Sequence, residues 1–179
     1  MKFVQKFEEW NEVSPELTAH IAEGLDLTNS LFRLGSDAYC KLFEEVKQYW
    51  DKGNIVLNGP SGWMAKNLEV GTAAVYTPRG GNTKKVKLDS PERGGTKKFI
   101  VYRNSGRTDK EGNIIAKKLE WGDPNLSVKN DDPGKAASFW ARHQCDQKKK
   151  MDPTKAGFWA CYGPTLFGKQ LGIKSDQPW

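Results

Sequence analysis

Lys98-Phe99-Ile100-Val101-Tyr102-Arg103 and Ile114-Ile115-Ala116-Lys117-Lys118-Leu119-Glu120-Trp121 are two runs rich in β-branched, aromatic and apolar residues. Between them lies a polar stretch, Asn104 to Asn113, with Gly106 and Gly112. Runs of this composition bounded by turn residues read as strands, and their nearness in the chain joins them as a β-hairpin. Gly122-Asp123-Pro124-Asn125 closes the second strand with a turn.

Upstream of the hairpin the pattern changes twice. Residues 53–96 hold eight of the 18 Gly and three Pro, grouped in Gly59-Pro60-Ser61-Gly62, Arg79-Gly80-Gly81-Asn82 and Arg93-Gly94-Gly95-Thr96. These breakers predict an extended arm, with short strands at most near Ala73–Tyr76 and Val86–Leu88. Before it the reading is helical. Ser14-Pro15-Glu16 has the form of an N-cap with Pro at the first helical position, and Gly24 is placed to stop that helix. A second helix starts at Ser36. Tyr39, Cys40, Phe43, Val46 and Trp50 make an apolar stripe along it, and Gly53-Asn54 ends it.

Downstream, three short helices are expected, each with Pro near its start. Asp132-Pro133 opens the first, Asp152-Pro153 the second and Pro164 the third. The expected class is therefore α+β: an N-terminal helical part over 1–53, a Gly-rich arm or linker over 54–96, and a C-terminal module over 97–179 with the hairpin and short helices.

The chain has 179 residues, 37% hydrophobic and 28% charged, with seven Trp; its mean hydropathy is −0.72. The aromatic content argues against wholesale disorder. No apolar run is long enough to span a membrane, and the opening Met1-Lys2-Phe3-Val4-Gln5-Lys6 lacks a secretory leader's apolar stretch, so synthesis in the cytoplasm is expected. Charge is uneven: residues 1–83 carry 8 basic and 11 acidic side chains, net −3, and residues 84–179 carry 20 and 11, net +9. A basic half of this kind suits nucleic acid, an anionic membrane surface or an acidic partner, or is simply a solvated Lys-rich face.

The residues with metal-ligand character are His143, Cys145 and Cys161. Imidazole and thiolate are the usual zinc ligands, and a structural site wants a fourth. Cys40, His20, Asp146 and Asp152 are candidates that spacing does not separate. Three readings stay open: a structural zinc knuckle, a Cys145–Cys161 cross-link, and two buried thiols beside a hydrogen-bonded His. Arg142, Lys148, Lys149, Lys150 and Lys155 are the candidate contacts to nucleic acid or a partner. Phe139, Trp140, Phe158 and Trp159, interleaved with them, read as a small core rather than as stacking platforms. Two His in the whole chain, no phosphate-binding glycine loop and no carboxylate cluster give enzymatic chemistry little to work with.

Several stretches carry a resemblance. They are Gly94-Gly95-Thr96-Lys97-Lys98-Phe99-Ile100-Val101-Tyr102, Trp121-Gly122-Asp123-Pro124-Asn125-Leu126-Ser127-Val128, Asp131-Asp132-Pro133, Ser138-Phe139-Trp140-Ala141-Arg142-His143-Gln144-Cys145 and Ala156-Gly157-Phe158-Trp159-Ala160-Cys161. Gly168-Lys169-Gln170-Leu171-Gly172-Ile173, Val13-Ser14-Pro15-Glu16-Leu17 and Leu31-Phe32-Arg33-Leu34-Gly35-Ser36 add to it. Together they resemble a family of virion or structural proteins of tailed bacteriophages, common in marine contractile-tailed phages; the middle of the chain lies outside the resemblance. The resemblance implies a virion or structural protein; with enzymatic motifs missing, the expectation is a non-enzymatic structural component of the virion, in head or neck ahead of tail. It would contact other virion proteins and copies of itself, with no membrane. His143, Cys145 and Cys161 fall at the family's H-x-C and W-x-C positions. Trp140 stands where members usually carry Arg. The alternative expectation is a nucleic-acid-binding protein, with DNA as partner, whose basic C-terminal module is stapled by Zn.

Overall fold

The hairpin is present, longer than expected, and forms the spine of the second of two units. The structure is a computed structural model that describes residues 2–3, 13–33, 35–127, 132–147 and 151–173. The chain divides into Met1–Val70 and Gly71–Trp179, so the boundary falls inside the stretch expected to be a linker. The class is α+β.

The first unit contains β1 (Lys2–Phe3), α1 (Pro15–Ala22), α2 (Asp37–Asp51), β2 (Ile55–Val56) and α3 (Gly59–Asn67), with β1 antiparallel to β2. Ser14 caps α1 as the sequence predicts, its Oγ accepting from the Leu17 N–H at 3.1 Å. The same residue donates its backbone N–H to Glu45 Oε1 at 2.8 Å and its hydroxyl to the other carboxylate oxygen. One side chain thus starts α1 and ties it to α2. Ser14→Ala should lower stability by about 1–2 kcal/mol, read from urea unfolding; a change below about 0.3 kcal/mol would show that neither cap nor tie matters.

Ser36 caps α2 in the same way, and Tyr39, Leu42, Phe43 and Val46 bury its apolar stripe. His20 is fully buried. The Leu31 N–H donates to its Nε2 at 3.3 Å, so Nδ1 carries the proton and donates to the Glu16 carbonyl at 2.9 Å. It is a satisfied structural histidine.

The second unit contains β3 (Ala73–Tyr76), β4 (Lys84–Lys87), β5 (Glu92–Arg93), β6 (Phe99–Thr108), β7 (Ile114–Trp121), α4 (Pro133–His143) and α5 (Ala156–Leu171). The strand order is β4-β3-β7-β6-β5, antiparallel except for β3 beside β7. β4 and β5 lie at opposite edges, yet only residues 88–91 separate them in the chain. Leu88 bridges to Tyr102 on β6, and the Asp89 N–H donates to the Tyr102 carbonyl at 2.8 Å. The chain therefore crosses from one edge to the other and curls the sheet closed around Ala74, Leu88, Ile100, Tyr102 and Ala116.

Two expectations are corrected here. Residues 54–96 are not an extended arm. They hold β2, α3 and three strands, of which β3 falls on the expected Ala73–Tyr76 and β4 overlaps the expected Val86–Leu88; their glycines serve tight turns and close approaches. A Cβ on Gly62, inside α3, would stand 2.7 Å from the Leu57 carbonyl oxygen. On Gly95, at φ +90°, it would run into Glu120 Oε1 and Ile100 Cγ2. Pro164 does not open a third C-terminal helix. It sits inside α5, which continues to Leu171. Proline forfeits one helical hydrogen bond, but Phe158, Trp159, Cys161, Tyr162, Leu166, Phe167 and Leu171 are all buried along this helix. Burial at roughly 1.5–3 kcal/mol per large apolar side chain outweighs that loss. The first C-terminal helix is as predicted, with Asp132 Oδ1 accepting from the Lys135 N–H at 3.1 Å. Asp152 instead holds a turn ahead of α5 through Thr154. Among the described residues no helix is long and apolar enough to cross a membrane.

Candidate functional site

The base of the hairpin, α4 and α5 enclose a groove of about 690 Å³. The hairpin supplies Phe99 at the start of β6 and Trp121 at the end of β7, registered opposite each other with ring centroids 5.4 Å apart. Trp121 leans on Trp159 at 5.7 Å, and this contact seats α5 against β7. The last turn of α5 is held by Arg93, whose Nε donates to the Leu171 carbonyl at 2.8 Å while its guanidinium lies over Phe99. A cation at a helix C-terminus meets the negative end of the dipole.

The turns at the groove's edge are glycine corners. Gly122 has φ +78°, and a Cβ there would press on the Phe99 ring at 3.3 Å. Glu120 Oε1 accepts from the Thr96 N–H at 2.8 Å. That bond first, with Lys118 adding, holds the Glu120 carboxyl below the usual range. This places Lys97 and Lys98 on the lip, with the Lys98 ammonium donating to the Leu126 carbonyl.

α4 forms the facing wall. Lys135, Ser138, Phe139, Arg142 and His143 recur at helical spacing and all line the groove. Its other side meets α5: Trp140 stands edge-on to Tyr162 at 5.3 Å, and the Tyr162 hydroxyl donates to the Cys145 carbonyl at 2.6 Å. Burial, with Asp146 nearby, raises the Tyr162 pKa and keeps the phenol a donor. Beyond it, Cys145 and Cys161 are joined as a disulfide, Cα atoms 5.6 Å apart. Only Ala136 of α4 is buried, so this end carries most of the helix's attachment.

Of the three readings for His143, Cys145 and Cys161, the cross-link is the one present. Both sulfurs are bonded to each other, and His143 is exposed with its ring 4.3 Å from Phe139. Among the described residues no three His, Cys, Asp or Glu side chains stand where they could hold a metal ion. Arg142 lies in the groove; Lys155 is exposed and lies outside its lining. Lys148, Lys149 and Lys150 fall outside the described residues. Sequence reasoning missed Lys97, Lys98 and Trp121 as site residues. The paired lysines before β6 were a visible signal, but only tertiary packing brings them opposite α4.

Division by unit sharpens the charge asymmetry. Residues 1–70 carry 7 basic and 11 acidic side chains, net −4, and residues 71–179 carry 21 and 11, net +10. Compared with protein-family models, curated proteins and solved structures, the chain matches none.

Proposed function

We propose that the chain is a non-enzymatic structural component of a tailed-phage virion, in head or neck rather than tail, working through contacts with other virion proteins and with copies of itself. One observation supports this reading above the others. Residues 97–99, 121–123 with 126–127, 138–139 with 142–143, and 160, which belong to four separate stretches carrying the resemblance, line a single groove. What the resemblance marks is then a surface for binding. The opposed charge of the two units, net −4 and net +10, suits contact between copies by electrostatic complementarity. A second reading, nucleic-acid binding, draws on the groove's cations.

The test is incorporation. Peptide mass spectrometry of gradient-purified phage particles encoding this chain should find it at a fixed copy number per particle. Its presence in the lysate together with absence from particles would overturn the reading.

A further inference from the structure

The groove joins an apolar floor to a basic lip. Phe99, Trp121, Phe139 and Pro164 supply the apolar surface; Lys97, Lys98, Lys135 and Arg142 supply the charge, against Asp123 in the lining and Asp132, which pairs with Lys135 at 2.8 Å. The Asp123 carboxylate already accepts from the Asn125 N–H at 2.8 Å. Trp121 is only 5% exposed and packs on Phe99 and Trp159, with ring centroids 5.4 and 5.7 Å away, so it belongs to the floor.

We propose that this groove binds an unpaired nucleotide of a single-stranded nucleic acid, with the base against Phe139 and the flanking phosphates on Lys97, Lys98, Lys135 and Arg142. A carboxylate side chain matches the cations but has no flat π-face to lie on Phe139, which every base has. The volume lies within the range of about 300–1,000 Å³ typical of small-ligand sites, enough for a base and its sugar. A duplex, whose bases stay stacked, would reach only the cations. Phe139 is half-buried, with its ring 4.3 Å from that of His143, and can stack a base. The proposal stands apart from the virion reading: particle incorporation and strand binding can each fail alone.

The experiment is fluorescence anisotropy on the full chain, with labelled 12-mers of oligo-dT and oligo-rU and a duplex of equal length. Single strands should bind, with a log–log salt slope near −3 if four phosphates are neutralised, at about −0.7 each. Preference for the rU strand would point to RNA through the 2′-hydroxyl; equal or stronger dT binding would point to DNA. The pair Lys97→Glu and Arg142→Glu, both exposed, should weaken binding at least tenfold. Lys85→Glu with Lys110→Glu, equally exposed and outside the groove lining, changes net charge by the same amount and should weaken it less than threefold. Phe139→Ala should cost on the order of tenfold with the salt slope unchanged. Equal losses from the two charge pairs, a duplex bound as tightly as the single strand, or an acidic peptide competing as well as oligo-dT would each overturn the proposal. So would the absence of binding at about 50 mM salt.

Discussion

Arg103→Met should destabilise the Gly71–Trp179 unit by about 3–5 kcal/mol, the largest single-residue effect expected in this chain. Asp89 is completely buried at the point where the chain crosses from β4 to β5, with φ +51°. Its carboxylate is held by the Arg103 guanidinium, itself only 10% exposed. Removing the cation leaves a buried charge with its principal counter-ion gone, at the corner that closes the sheet. Asp and Asn are the non-glycine residues best suited to a left-handed corner, so Asn at 89 keeps the backbone while discharging the site. The double variant Asp89→Asn with Arg103→Met should therefore recover most of the loss, because replacing both partners of a buried pair is often close to neutral. Urea unfolding followed by Trp fluorescence reads all three proteins. A loss under about 1 kcal/mol for Arg103→Met, or a double variant as unstable as the single, would show that the pair does not hold the corner.

That corner was not legible in the sequence. Asp89 and Arg103 are ordinary charged residues there, one beside a Pro-containing turn and one at the end of a predicted strand. Only the sheet's curling buries them together. What was legible followed short-range rules. Ser14, Ser36 and Asp132 cap their helices because a side-chain oxygen three residues before an orphan N–H meets it whatever the tertiary fold. The hairpin was legible from its β-branched and aromatic runs, although β6 extends to Thr108, past its expected end. The register shifts between Asn104 and Arg107 let the strand pass the glycine at 106, and Asp109 then closes the turn by accepting from the Glu111 and Asn113 N–H groups.

The errors also have physical causes. Glycine and proline weigh heavily against regular structure in a local reading, yet Pro60 sits in the first turn of α3, where its missing N–H costs nothing, and Pro164 within α5 is tolerated because packing supplies the compensation. The groove was half legible. Arg142 was read as a contact residue, and Lys135 and Phe139 stood in the same basic-aromatic stretch. Their partners Lys97, Lys98 and Trp121 lie a strand or more away in sequence, and no periodicity connects them.

Loss of the Cys145–Cys161 bond should cost about 3 kcal/mol, the value expected from the unfolded-state entropy of a loop of this size, since the two cysteines are 16 residues apart. The effect should be local first. α4 buries only Ala136 and reaches α5 mainly through Trp140, Tyr162 and the disulfide. Reduction should therefore strip amide-exchange protection from 133–143 while β6 and β7 keep theirs. Because α4 carries Lys135, Phe139 and Arg142, oligonucleotide affinity should fall with it. Thiol chemistry separates this state from the zinc reading. Denatured without reductant, the oxidised chain should show one reactive thiol, Cys40, and all three after reduction. One zinc per chain, released with three thiols on denaturation in chelator, would instead assign His143, Cys145 and Cys161 to a metal. In a reducing cytoplasm the thiols are expected to stay open, and the bond to form once the chain reaches an oxidising setting. A Cys145→Ala, Cys161→Ala double variant as stable as the parent, with α4 still protected, would show that aromatic packing alone holds this wall of the groove.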